Sequence, residues 1–219
     1  GKQLTAQQTV RASCADNAWM QCPQCAVLCR RGLLARLRQR LRERPMSADA
    51  PLHPENAAVP LPDGRFSGRE AFQQLVRDAL ATAARDGWRE IIISDANFHD
   101  WPLGEKAVVE SLQAWARSGR RFTMLACTYD EIVRRHARLV RWRGTWDHIL
   151  TCRVSPAADP LDIPSVLWSP DWVLHRIDPE RCVGITGREP DRRVLLRETL
   201  NEWIRSKSAP GFPSTTLGL

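Results

Sequence analysis

Apolar and polar positions fall into a regular pattern only from about residue 65 onward. In "FSGREAFQQLVRDALATAARDG", Phe72, Leu75, Val76, Ala79, Leu80 and Ala83 recur at helical spacing until Gly87 stops the run. Ser67, three residues ahead of Glu70, predicts a capping box in which each side chain satisfies the other's free backbone donor. "WREIIISD" is short, β-branched and bounded by polar residues, which predicts a strand buried on both faces and ending near Asp95. "EKAVVESLQAWARSG" repeats the helical spacing through Val108, Val109, Leu112 and Trp115 to Gly119, and "RRFTMLACT" reads as the next strand. Thr128, three residues before Glu131, predicts a second capping box and one continuous helix, "YDEIVRRHARLVRWRG", with Ile132, Val133, His136, Leu139 and Val140 inward. "HILTCRV" reads as a third strand.

Helix and strand alternate three times, so the expected fold class is α/β, with a mostly parallel central sheet flanked by helices. The pattern then changes. "SVLWS", "WVLHRID" and "RCVGITG" are separated by Pro, Asp and Gly turns and predict hairpin-connected strands. Pro190 suits the first turn of a final helix, "PDRRVLLRETLNEWIRS", with Val194, Leu195, Glu198, Leu200 and Trp203 spread over its faces. The expected organisation is a head and linker over 1–64, an α/β domain over 65–207, and an extended tail over 208–219.

Charge marks the head as different. The chain carries a net charge of +7, yet residues 1–45 hold nine of the 32 Lys+Arg and two of the 25 Asp+Glu, leaving the remainder balanced. The main domain therefore has no basic signature, and nucleic acid is not its expected partner. Leu33, Leu34, Leu37 and Leu41 form a helical stripe among arginines, suited to a solvated basic helix or to an acidic surface. Cys14, Cys22, Cys25 and Cys29 are candidate zinc ligands, although they supply only one C-x2-C pair. The Pro- and Ala-rich stretch "PMSADAPLHPENAAVPLPDG" reads as linker, and Met46 reads as a native translation start. No apolar run approaches the ~20 residues that span a bilayer, and mean hydropathy is −0.38. With Cys127, Cys152 and Cys182 in apolar surroundings, the expectation is a soluble, cytoplasmic protein with reduced thiols.

Candidate chemistry concentrates in "ISDANFHDWPLGE", just past the first central strand, where open α/β sheets gather ligands. Asp95, His99 and Asp100 could share protons or hold a divalent metal, as in a small hydrolase. They could equally serve a turn, with Trp101 and Pro102 as a packing anchor. His175 and Arg176 are a second candidate, for ligand binding. Strand alternation puts one on each face, so His175 inward with Val173 would leave Arg176 on the rim. Trp142, Trp146, Trp168 and Trp172 suit core or interface packing better than base stacking, given the neutral domain. No G-x-G-x-x-G, G-x4-G-K-[ST], G-x-S-x-G or H-E-x-x-H occurs, and no cofactor is expected.

"FSGREAF", the strand ending at Asp95, "DWPLG", "WVLHRID" and the terminal "STTLGL" together resemble an uncharacterised bacterial family of domains of unknown function, similar to a single phospholipase-D-like half-domain. The resemblance covers about residues 65–219. Catalysis in phospholipase-D-like proteins needs His-x-Lys-x4-Asp, the histidine attacking phosphorus while the lysine stabilises the phosphoryl oxygens. Two positions after His53, His99, His136, His148 and His175 stand Glu55, Trp101, Arg138, Leu150 and Ile177, so the motif is absent. The resemblance thus implies a non-catalytic binding or assembly module, and a homodimer, because half-domains of that type pair face to face. The alternative is a metal-dependent or acid/base hydrolase of the phosphodiester class using Asp95, His99 and Asp100.

Overall fold

The computed structural model describes residues 60–118 and 120–212. The head with Cys14, Cys22, Cys25 and Cys29, the Leu33–Arg44 stripe, Met46, the helix stop at Gly119 and the "STTLGL" terminus lie outside the described residues.

The chain runs β1 (Gly64–Ser67), α1 (Arg69–Asp86), β2 (Glu90–Ser94), α2 (Lys106–Ala116), β3 (Arg121–Ala126), α3 (Asp130–Arg135), α4 (Ala137–Trp146), β4 (Leu150–Val154), β5 (Ser165–Trp168), β6 (Val173–Asp178), β7 (Val183–Gly187), α5 (Pro190–Glu202), a π-helical turn (Trp203–Lys207) and β8 (Ala209–Pro210). The strands form one sheet in the order β1-β7-β6-β5-β2-β3-β4-β8. β2, β3 and β4 are parallel, as the alternation of helix and strand predicts. Every other pairing is antiparallel. The expected mostly parallel sheet is therefore corrected to a mostly antiparallel one. The cause lies after β4: residues 155–164, "SPAADPLDIP", supply no crossover helix, so β5 enters antiparallel beside β2, and β6 and β7 follow as hairpins.

Helices α1 to α4 cover one face over the larger core, where Phe72, Ile91, Ile93, Trp101, Leu112, Trp115 and Phe122 are fully buried. α5 covers the middle of the other face through Leu196 and Leu200, against Ile92, Val166, Trp168 and Val173. Its Val194 and Leu195 are exposed. Trp142, Trp168 and Trp172 are buried, and Cys127, Cys152 and Cys182 are buried free thiols.

Three local expectations are corrected. Ser67 does not cap α1: it ends β1, and Gly68 at φ 97 takes the cap position with no side-chain cap. The reason is β1 itself, where Phe66 pairs with Gly184 of β7. A Cβ on Gly184 would lie 2.6 Å from the Phe66 ring, so only glycine admits this close approach. Thr128 likewise forms a local turn, its hydroxyl accepting from Asp130 N (3.2 Å) and donating to Asp130 Oδ2 (2.7 Å). The single helix predicted after it breaks at His136 into α3 and α4. There the buried imidazole Nε2 lies 3.3 Å from Phe98 O, and the loop at Gly104 packs so closely that an added Cβ would meet His136 Nδ1 at 2.9 Å. Tertiary contact has overridden helical periodicity at that residue.

Candidate functional site

β2 carries its apolar run to Ser94, and the ladder continues through Asp95, whose N–H donates to Leu125 O (3.1 Å). The chain must then turn. Asp95 Oδ2 accepts the Phe98 N–H (2.8 Å) and the Asn97 N–H (3.3 Å), and Phe98 adopts φ 60. This side-chain-to-backbone turn is a standard use of aspartate. It drives the Phe98 ring into the core edge-on to Trp101, which in turn meets Phe72 edge-on.

The other oxygen, Asp95 Oδ1, accepts from Arg176 Nη2 at 2.7 Å. Both side chains are almost wholly removed from solvent, at 4% and 3% exposure. Arg176 Nη1 donates to Asp100 Oδ2 (3.1 Å), Nε donates to Ser165 Oγ (2.9 Å), and Cζ lies over the Phe72 ring, 4.5 Å from its centre. Cys182 Sγ sits 3.7 Å from Nη1. Burial alone would lower the Arg176 pKa, but the charge and hydrogen bond of Asp95 outweigh it, and the pKa lies above its ordinary value. From the N-terminus of α1, Arg69 Nη2 approaches Asp100 Oδ1 at 3.0 Å. That contact is a charge pair without hydrogen-bond alignment, because the buried Oδ1 accepts no aligned hydrogen bond. A planar guanidinium thus ties the loop after β2 to β5 and β6, with both carboxylates committed to it.

His99 lies apart from this cluster. Its Nδ1 is 3.3 Å from Glu131 Oε2 on α3, and its side chain is 40% exposed. Glu131 is shared with Arg135 Nε (2.9 Å) and with Arg134. His175 occupies the opposite face of the sheet, in register with Val166 and Ile185 and half-buried. Burial and the nearby Arg192 lower its pKa. At β6, Arg176 turns with Leu174 to the face of the Asp95 cluster, and His175 shares the opposite face with Val173. Asp95, Asp100 and Arg176 converge, while His99 and His175 do not join them. Among the described residues no group of three or more His, Cys, Asp or Glu is placed to hold a metal ion.

Ser165, Phe72, Arg69 and Cys182 complete the cluster, and no sequence pattern marked them as site residues. The available signal was Arg176 itself, a charged residue in the middle of a strand that opens with the apolar pair Val173 and Leu174.

No known family description matches the chain, and no curated protein is detectably similar. Among solved structures, the archaeal chromatin protein TrmBL2, described with a novel mode of DNA binding, superposes with TM-score 0.51 at 13% identity, covering 94% of this chain and 66% of that one. Phosphatidylserine synthase of Haemophilus influenzae Rd KW20 gives TM-score 0.45 at 13% identity, over 67% of this chain and 38% of that one. The first likeness is one of fold alone, and the second falls short of that. No helix among the described residues is long and apolar enough to cross a membrane.

Proposed function

We propose that the domain is a non-catalytic binding or assembly module of phospholipase-D-like fold. The observation that carries this reading is the commitment of Asp95 and Asp100 to buried Arg176, with His99 turned away to Glu131. A general base or metal ligand needs a carboxylate free to meet its proton or ion. Here one carboxylate holds a backbone turn and a guanidinium, and the other lies between two guanidiniums. The missing His-x-Lys-x4-Asp motif agrees with this reading.

DNA binding, described for TrmBL2, gains little from the main domain, where residues 60–212 carry 23 Lys+Arg against 21 Asp+Glu. Retention of duplex DNA in low salt, compared with and without residues 1–45, separates a contribution of the head from one of the domain. Self-association is part of the assembly reading, and sedimentation equilibrium of the full chain tests it. The deciding experiment is hydrolysis of bis(p-nitrophenyl) phosphate with added magnesium, manganese or zinc. The reading predicts no turnover above buffer, and turnover abolished by His99→Ala would overturn it in favour of the hydrolase.

A further inference from the structure

At the opposite end of the parallel strands from Asp95, a groove of about 420 Å³ is lined by Arg89, Glu90, Arg120, Arg121, His148 and Thr151, together with Ile149. Three arginines line it because β2 and β3 start side by side. Glu90 is in register with Arg121, and the Arg121 N–H donates to Arg89 O at 3.2 Å. Arg120 crosses the C-terminal end of α1, its Nη2 3.1 Å from the point where a Cβ on Gly87 would stand. Gly87, at φ 76, closes that helix and leaves the space.

Glu90 supplies the groove's carboxylate, and its charge is divided. Oε2 is held by Arg197 at 3.0 Å, while Oε1 is 3.7 Å from Arg121. Among the described residues no acidic side chain pairs with Arg89 or Arg120. Arginines lining one groove, two of them without an acidic partner, give it a positive potential that favours an anion. Arginine forks match the oxygens of phosphate in pairs, and His148 and Thr151, which also line the groove, are residues with hydrogen-bonding side chains.

We propose that this groove binds a small phosphorylated ligand through Arg89, Arg120 and Arg121. Its volume fits a small molecule of nucleotide size. The near-neutral domain around it favours a discrete anion over a nucleic-acid backbone, which needs an extended basic track. The proposal rests on the binding-module reading and gives it a ligand class.

The test is calorimetric titration of the full chain with sodium pyrophosphate, against sodium chloride of matched ionic strength. Saturable binding is expected, weakened about tenfold or more by Arg89→Ala and again by Arg121→Ala. Both arginines are exposed, so these variants keep the fold, which circular dichroism checks. Arg181→Ala, at an 84%-exposed arginine paired with Asp178, serves as the control and should bind as wild type does. The arginine-rich head is unchanged in every variant. Equal pyrophosphate binding by wild type and the double variant would assign the binding elsewhere and overturn the proposal. Binding of single-stranded oligothymidylate, but not pyrophosphate, through Arg89 and Arg121 would also overturn it, in favour of nucleic acid. Failure here removes the ligand class alone, whereas metal-dependent turnover at His99 would remove the module reading itself.

Discussion

Arg176 on β6 donates a 2.7 Å hydrogen bond to Asp95, which lies 81 residues earlier at the end of β2, and both side chains are buried. The pair closes the sheet across β5 and holds the loop in which the candidate acids stand. Its partners make it a structural element first.

Arg176→Met should destabilise the domain by about 3–5 kcal/mol, because Asp95 would be left charged and buried without its partner. Arg176→Lys should fall between wild type and Arg176→Met, since an ammonium cannot reach Asp95, Asp100 and Ser165 in one plane. Urea unfolding followed by tryptophan fluorescence measures both.

His99→Ala should change stability by no more than about 0.5 kcal/mol, the range for surface positions away from buried networks. Its pairing with Glu131 is partly solvated, and Arg134 and Arg135 remain to hold that carboxylate. The same unfolding assay provides the value.

Burial lowers the pKa of His136 from its ordinary 6.5, with Arg135 and His99 acting in the same direction and the bond to Phe98 O opposing them. The unfolded chain therefore takes up the proton first as pH falls. The stability this residue contributes is fully present above about pH 6.5 and is lost below it. His175 has the same sign. His136→Gln keeps a donor for Phe98 O and should flatten the slope of unfolding free energy against pH between about 7 and 5.5. An unchanged slope would show that His136 is not the group responsible.

Phe212 stacks on Tyr129 at 4.8 Å and 9°, with Arg143 4.2 Å from its ring centre, as β8 pairs along β4. Phe212→Ala should cost about 1–2 kcal/mol. It should also increase aggregation on heating, because the segment that covers the β4 edge is loosened. Thermal unfolding with light scattering reads both effects.

The sequence made much of this fold legible and left its connections obscure. Helical spacing from Phe72 to Ala83 and from Val108 to Trp115 and the β-branched run at Ile91–Ile93 each report local burial, and α1, α2 and β2 stand where those patterns put them. The insertion of β5 beside β2 depends on non-local pairing that no local period encodes, and it turned the sheet mostly antiparallel. β1 went unseen because its four residues contain one apolar side chain, Phe66, whose partner Gly184 lies far along the chain. The position of the candidate site was readable from strand order, but its meaning was not. Whether Asp95 is a base or a tether depends on which face of β6 carries Arg176, and alternation fixes only that Arg176 and His175 differ.

A double-mutant cycle of Asp95→Asn and Arg176→Met, read as urea unfolding free energies, tests the tether most directly. The predicted coupling is at least about 1.5 kcal/mol, with the double variant more stable than the two single losses would sum to. Additivity to within about 0.5 kcal/mol would contradict the account and return Asp95 to the pool of residues available for chemistry.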